Sequence, residues 1–190
     1  MDAYRSRRSL VKLVAGAGVA AVPALSLSRV AAQDVGVDSG GIGLRRADFE
    51  AAYGVGVDAQ SLTIYENVTI GVPGAKVYAQ YRGEIVEHLE VRWSQATQAG
   101  GIDWGTAYQA AMLLLPVDAE HRDQFWMPAT PEGPVEIIGH TYESQALNTY
   151  HYNLGRILVL FQREYVQLTP NTPNEPIVPA VTLTMAEVPQ

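Results

Sequence analysis

Cysteine is absent from the 190 residues. That excludes disulfide scaffolds, cysteine nucleophiles, thiolate zinc sites, iron–sulfur clusters and a diacylglyceryl-cysteine anchor. Lysine is almost absent, with Lys76 the only one beyond the N-terminal segment, which argues against Schiff-base chemistry. Beyond Arg46 there is no basic stripe. Nucleic acid and anionic membrane surfaces are therefore not expected partners, because phosphate recognition needs clustered positive charge. Long apolar runs are missing too. The longest, Leu13 to Leu27, is about 15 residues and contains Pro23, short of the roughly 20 that a membrane span requires.

That run belongs to an N-terminal segment of 32 residues that differs from the rest of the chain. Arg5, Arg7, Arg8 and Lys12 precede the apolar stretch, and Val30-Ala31-Ala32 places small residues where a signal peptidase reads them. The expected cleavage lies between Ala32 and Gln33. Ser6-Arg7-Arg8-Ser9-Leu10-Val11-Lys12 resembles the twin-arginine export motif, with Arg7 and Arg8 as its paired arginines. A basic signal of the general secretory route is the other reading. Both place the protein outside the cytoplasm, in a periplasm, on a cell surface or secreted, with no stable membrane span once the signal is removed. The segment carries five of the 13 basic residues and one of the 20 acidic ones, which leaves 8 against 19, a net of −11 over 158 residues.

Residues 33–43 hold Gly40-Gly41-Ile42-Gly43 without an apolar period and are expected to form a flexible linker. A dinucleotide loop is excluded, since position 46 is arginine and no strand precedes the glycines. From residue 44 to 190 the pattern is that of one domain. A short helix over 45–53, stopped by Gly54, is followed by strands over Leu62 to Ile70, Ala75 to Arg82 and Ile85 to Trp93, with Gly83-Glu84 as a hairpin turn. On the third strand, alternation puts Ile85, Leu89, Val91 and Trp93 on one face and Glu84, Val86, His88, Glu90 and Arg92 on the other. A second helix is expected from Asp103 to Leu115, with a further helical turn or two from Asp118 to Phe125. Strands then follow over Val135 to Tyr142, Arg156 to Glu164 and Ala180 to Val188, the last after a Pro-rich loop from Thr169 to Pro179. The fold class is α+β, short helices packed on an antiparallel sheet. A duplicated helix-plus-three-strand unit, 44–94 and 102–190, is one reading of the order.

The stretches Leu44 to Gly54, Tyr81 to Trp93 and Leu114 to Glu120 together resemble a family of uncharacterised exported bacterial proteins. The architecture, a short helix before an antiparallel sheet and then repeated, is similar to the β-lactamase-inhibitor-protein fold. The resemblance implies a binding module rather than an enzyme and supplies no catalytic residues.

Chemistry-bearing motifs are sparse. There is no Gly-x-Ser-x-Gly elbow, no His-Glu-x-x-His and no phosphate loop. Catalytic residues are therefore unassigned, and no metal or other cofactor is expected. The densest polar and aromatic stretch holds His140, Tyr142, Tyr150, His151 and Tyr152. Together with Trp126 these form the expected binding surface, because tyrosine and tryptophan are enriched where proteins recognise one another and the chain has ten tyrosines and three tryptophans against three phenylalanines. The expectation is a non-catalytic binding module whose partner is another protein or a small apolar ligand. The alternative is a small metal-binding protein or hydrolase that uses His140, His151 and nearby carboxylates.

Overall fold

A computed structural model describes residues 37–133, 135–151, 154–166 and 175–187. The expected signal segment with Arg7, Arg8, Ala32 and Gln33 lies outside the described residues, as does Tyr152. The elements are α1 (Arg46–Tyr53), β1 (Val57–Ala59), β2 (Leu62–Ile70), β3 (Val72–Arg82), β4 (Ile85–Arg92), α2 (Trp104–Leu113), β5 (Glu120–Met127), β6 (Glu136–Glu143), α3 (Gln145–Tyr150), β7 (Arg156–Val166) and β8 (Glu175–Ala186). The strands make one antiparallel sheet in the order β1-β2-β3-β4-β8-β7-β6-β5. The last strand of each half meets at the centre, so each half is a meander that runs from an edge inward. Each half contributes four strands where three were expected, and no helix among the described residues is long and apolar enough to cross a membrane.

Alternation decides which sheet face is buried. Val77 and Ala79 of β3, Leu89 and Val91 of β4, Val181 and Leu183 of β8 and Ile157, Val159 and Phe161 of β7 form one apolar surface. Phe49 of α1, Ala107, Ala110 and Ala111 of α2 and Leu147 of α3 pack on it. The small alanines let α2 lie close to the sheet, and the Asp103 carboxylate caps it by accepting from Thr106 N at 3.0 Å. Among the described residues, the opposite face has no helix over it. Lys76 and Arg92 there flank the Tyr78 ring at 5.4 and 4.7 Å while pairing with Glu66 and Glu90.

Four expectations are corrected. On β4, a bulge opposite Gln80 and Tyr81 shifts the phase by one residue, so Val86 joins Leu89 and Val91 in the core. The stretch from Asp118 to Phe125 is not helical. Glu120–Met127 is strand β5, because pairing along the whole of β6 outweighs a weak helical pattern. The end of the expected Pro-rich loop is already strand, with Pro176 opposite Tyr165 and the Pro179 carbonyl accepting from Trp93 N at 2.7 Å.

The fourth concerns the expected linker, whose residues 37–43 are built into the core. Val37 and Ile42 are buried, Ile42 N donates to Leu114 O at 2.9 Å and Gly43 N donates to Val86 O at 2.9 Å. The glycines serve close approach rather than flexibility. A Cβ on Gly41 would sit 2.8 Å from Leu89 Cδ1 and 3.0 Å from Leu114 Cδ2.

Candidate functional site

The expected binding surface divides into exposed and buried parts. Trp126 is 57% exposed on β5, and Tyr150 is exposed on α3. His140, Tyr142 and His151 are buried, at 6%, 1% and 8% exposure. His140 and Tyr142 lie on the core face of β6 because they are in phase with Ile138, and His151 caps the C-terminus of α3.

His140 belongs to a pair that local sequence does not reveal. Register between β5 and β6 brings His121 Nε2 to 3.2 Å from His140 Nδ1. Rings surround them: Tyr142 lies edge-on to His121, while Tyr108 and Phe161 lie edge-on to His140, Phe161 at an interplanar angle of 86°. The Tyr108 and Tyr142 hydroxyls are 3.2 Å apart. His140 Nε2 is buried with no hydrogen-bond partner among the described residues. His151 stands apart from this cluster, so His140 and His151 do not share a site. Among the described residues no group of three or more His, Asp or Glu could hold a metal ion.

Burial and, after it, the neighbouring His121 hold the His140 imidazole below its usual range; burial does the same for His151 and for His88, whose Nδ1 lies 2.7 Å from Thr184 Oγ1. In all three the fold favours the neutral form. Below the ordinary imidazole value of 6.5 the unfolded chain binds protons that the folded chain refuses, so stability falls as pH drops from there toward the folded values. The lowered carboxyls of Asp58 and Asp103 act only below their usual 3.8, a separate window. Urea midpoints should therefore decline between pH 7 and pH 5, and H140F should decline less. A flat wild-type profile across that interval would count against neutral buried histidines.

A cleft of about 420 Å³ lies between the start of β5 and α3, lined by Asp118, Glu120, Arg122, Glu143, Ser144 and Asn148 among others. Its serine is structural. Ser144 Oγ donates to Asp118 Oδ1 at 2.7 Å and accepts from Leu147 N at 3.1 Å, and Asp118 Oδ2 accepts from Ala146 N at 2.9 Å. No histidine lines this cleft, and the Ser144 hydroxyl and the Asp118 carboxylate are both held by the start of α3. Arg122 bridges Glu120 at 3.1 Å and Glu143 at 2.9 Å, which satisfies its charge internally.

The remaining feature is β5 itself. Among the described residues it forms one edge of the sheet, eight residues long, and Phe125, Trp126 and Met127 on it are 36%, 57% and 47% exposed. Cross-strand register places Phe125 and Met127 on the uncovered face, opposite Gly139 and Ile137, and Trp126 on the helix side, opposite Ile138. The Phe125 ring lies over Gly139, where a Cβ would come within 2.1 Å of it. Trp126 is part of the binding surface expected from sequence, whereas Phe125 and Met127 are not, although they stand with it as three consecutive large apolar residues beside Pro128. Comparison with family models, with curated proteins and with solved structures found no match.

Proposed function

We propose that this chain is a non-catalytic binding module that docks an extended segment of a partner protein along β5. One observation carries the reading: an edge strand whose outer backbone groups have no strand beside them among the described residues also presents apolar side chains to both faces. Edge strands of soluble proteins are ordinarily blunted by charge or proline; β5 carries charge at Glu120, Arg122 and Asp123, and its C-terminal end, Phe125 to Met127, is the apolar part that offers a template for strand addition. Backbone hydrogen bonds would supply affinity, and Trp126 on one side with Phe125 and Met127 on the other would supply pockets for alternate side chains. The preferred segment is apolar at alternate positions and carries no net negative charge, since the chain is acidic. Work outside the cytoplasm fits the basic N-terminal segment with its paired Arg7 and Arg8.

The test is selection of extended peptides on the mature domain, followed by hydrogen exchange. Bound peptides should slow exchange of amides in 120–127. Trp126→Lys, which places a charge on an exposed ring position without touching the core, should weaken binding by roughly thirtyfold, about 2 kcal/mol, as expected for a central aromatic anchor. Peptides that bind equally well to the variant would remove β5 as the docking edge.

A further inference from the structure

The outer side of β5 is regular over five residues. A register shift between His121 and Asp123 makes Arg122 an extra residue in β5 and interrupts the pairing there, and Pro128, which has no backbone N–H, follows Met127. Between these limits register sorts the side chains by face. Asp123, Phe125 and Met127 lie opposite Thr141, Gly139 and Ile137 on the uncovered face, and Gln124 and Trp126 lie opposite His140 and Ile138 on the helix side. We infer, on the strength of the β5 docking proposed above, that the docked segment runs antiparallel to β5 and reads, from its N-terminal end, apolar, any residue, apolar, any residue, lysine or arginine.

Asp123 sets the charge. It is exposed, and its carboxylate accepts from the neighbouring Gln124 N at 2.8 Å but pairs with no cation among the described residues. Arg122 stands beside it in sequence, yet the bulge turns it to Glu120 at 3.1 Å and Glu143 at 2.9 Å. Every lysine and arginine from residue 45 onward is already in an ion pair, so the fold keeps no cation of its own for Asp123. A side chain directly opposite on an added strand would have its Cβ about 5 Å away on the same face, where opposite charges attract and like charges are destabilising.

Phe125 and Met127 set the other two positions. The Phe125 ring leans inward over Gly139, where a Cβ would come within 2.1 Å of it, which leaves the outer side of that position clear for a large side chain. Met127 continues inward to Ile137, so the end of the window is apolar on this face. Direction follows from the sheet, in which every neighbouring pair is antiparallel. The partner residue beside Met127 therefore comes first and the one beside Asp123 four residues later. A second copy of β5 does not fit, because its Arg122 precedes its apolar residues.

The probe is the peptide Gly-Ser-Leu-Val-Phe-Thr-Lys-Ser-Gly, titrated by calorimetry into the mature chain beside two others, one with glutamate for the lysine and one with the five central residues reversed. The lysine peptide should bind roughly tenfold more tightly than the glutamate peptide, since one cross-strand attraction is exchanged for a repulsion. It should also bind more tightly than the reversed peptide. Asp123→Lys, at an exposed position, should invert the preference between lysine and glutamate. A lysine preference that survives Asp123→Lys would come from the net charge of the chain and would overturn the assignment, as would tighter binding of the reversed peptide. Slowed amide exchange in 120–127 with equal affinity for the lysine and glutamate peptides would leave docking on β5 standing and remove the charge assigned to its partner. Binding by none of the three would remove both.

Discussion

Trp93→Ala is expected to lower the free energy of unfolding by about 3–5 kcal/mol, measured by urea denaturation. The residue is fully buried where β4 ends, and it holds three parts of the core together. Its indole Nε1 donates to Ile70 O at 2.8 Å, which closes the end of β2, and its backbone N donates to Pro179 O at 2.7 Å, which joins β8. Truncation removes the largest buried side chain, leaves a cavity that the sheet cannot collapse to fill, and strands the Ile70 carbonyl. Against a typical total of about 5–15 kcal/mol the loss is a large fraction. Trp93→Phe separates the two contributions, since it keeps most of the ring and loses the donor; its cost should be about 1–3 kcal/mol. A Trp93→Ala cost below about 1 kcal/mol would contradict the core as described.

Gly43→Ala is the second large effect, about 2–4 kcal/mol from two causes that a control can separate. Its φ is +87°, a region that a side chain enters at a cost of about 1–2 kcal/mol. A Cβ there would also lie 2.5 Å from Leu147 Cδ2 and 3.1 Å from Val37 Cγ1. Gly83, in the turn between β3 and β4, has φ +61° with nothing within 4 Å of its Cβ position. Gly83→Ala should therefore show the conformational cost alone, and the difference between the two variants measures the collision with Leu147. Equal midpoints for the two would show that the 37–43 segment is not wedged against α3.

The elements legible in the sequence were those whose burial is one-sided. β3, β7 and β8 alternate cleanly because one face meets the helices, and Gly83 marks the hairpin between β3 and β4; the antiparallel α+β class follows from them. β5 was not legible because nearly all of it is exposed, so no alternation is written into it, and its identity as a strand comes from β6. The 37–43 segment was misread because glycines that allow close packing look, in composition, like glycines that allow flexibility. His140 carried a usable signal in its phase with Ile138 and Tyr142, which marks it as inward-facing. Its pairing with His121 did not, since that depends on a register between two strands. The bulge that moves Val86 into the core left no mark of its own beyond the broken alternation between Val86 and Leu89.

The strand order carries a consequence for how the protein is made. β8, the final strand of the described chain, pairs with β4 and β7 at the middle of the sheet, and the junction joins residues as far apart in sequence as His88 and Thr184. A ribosome delivers the N-terminal half first, and that half's inner strand, β4, waits with an open hydrogen-bonding edge until β8 has emerged. The keystone arrives last. Closure of the sheet therefore waits for β8, and the two halves can join only once that strand has been made.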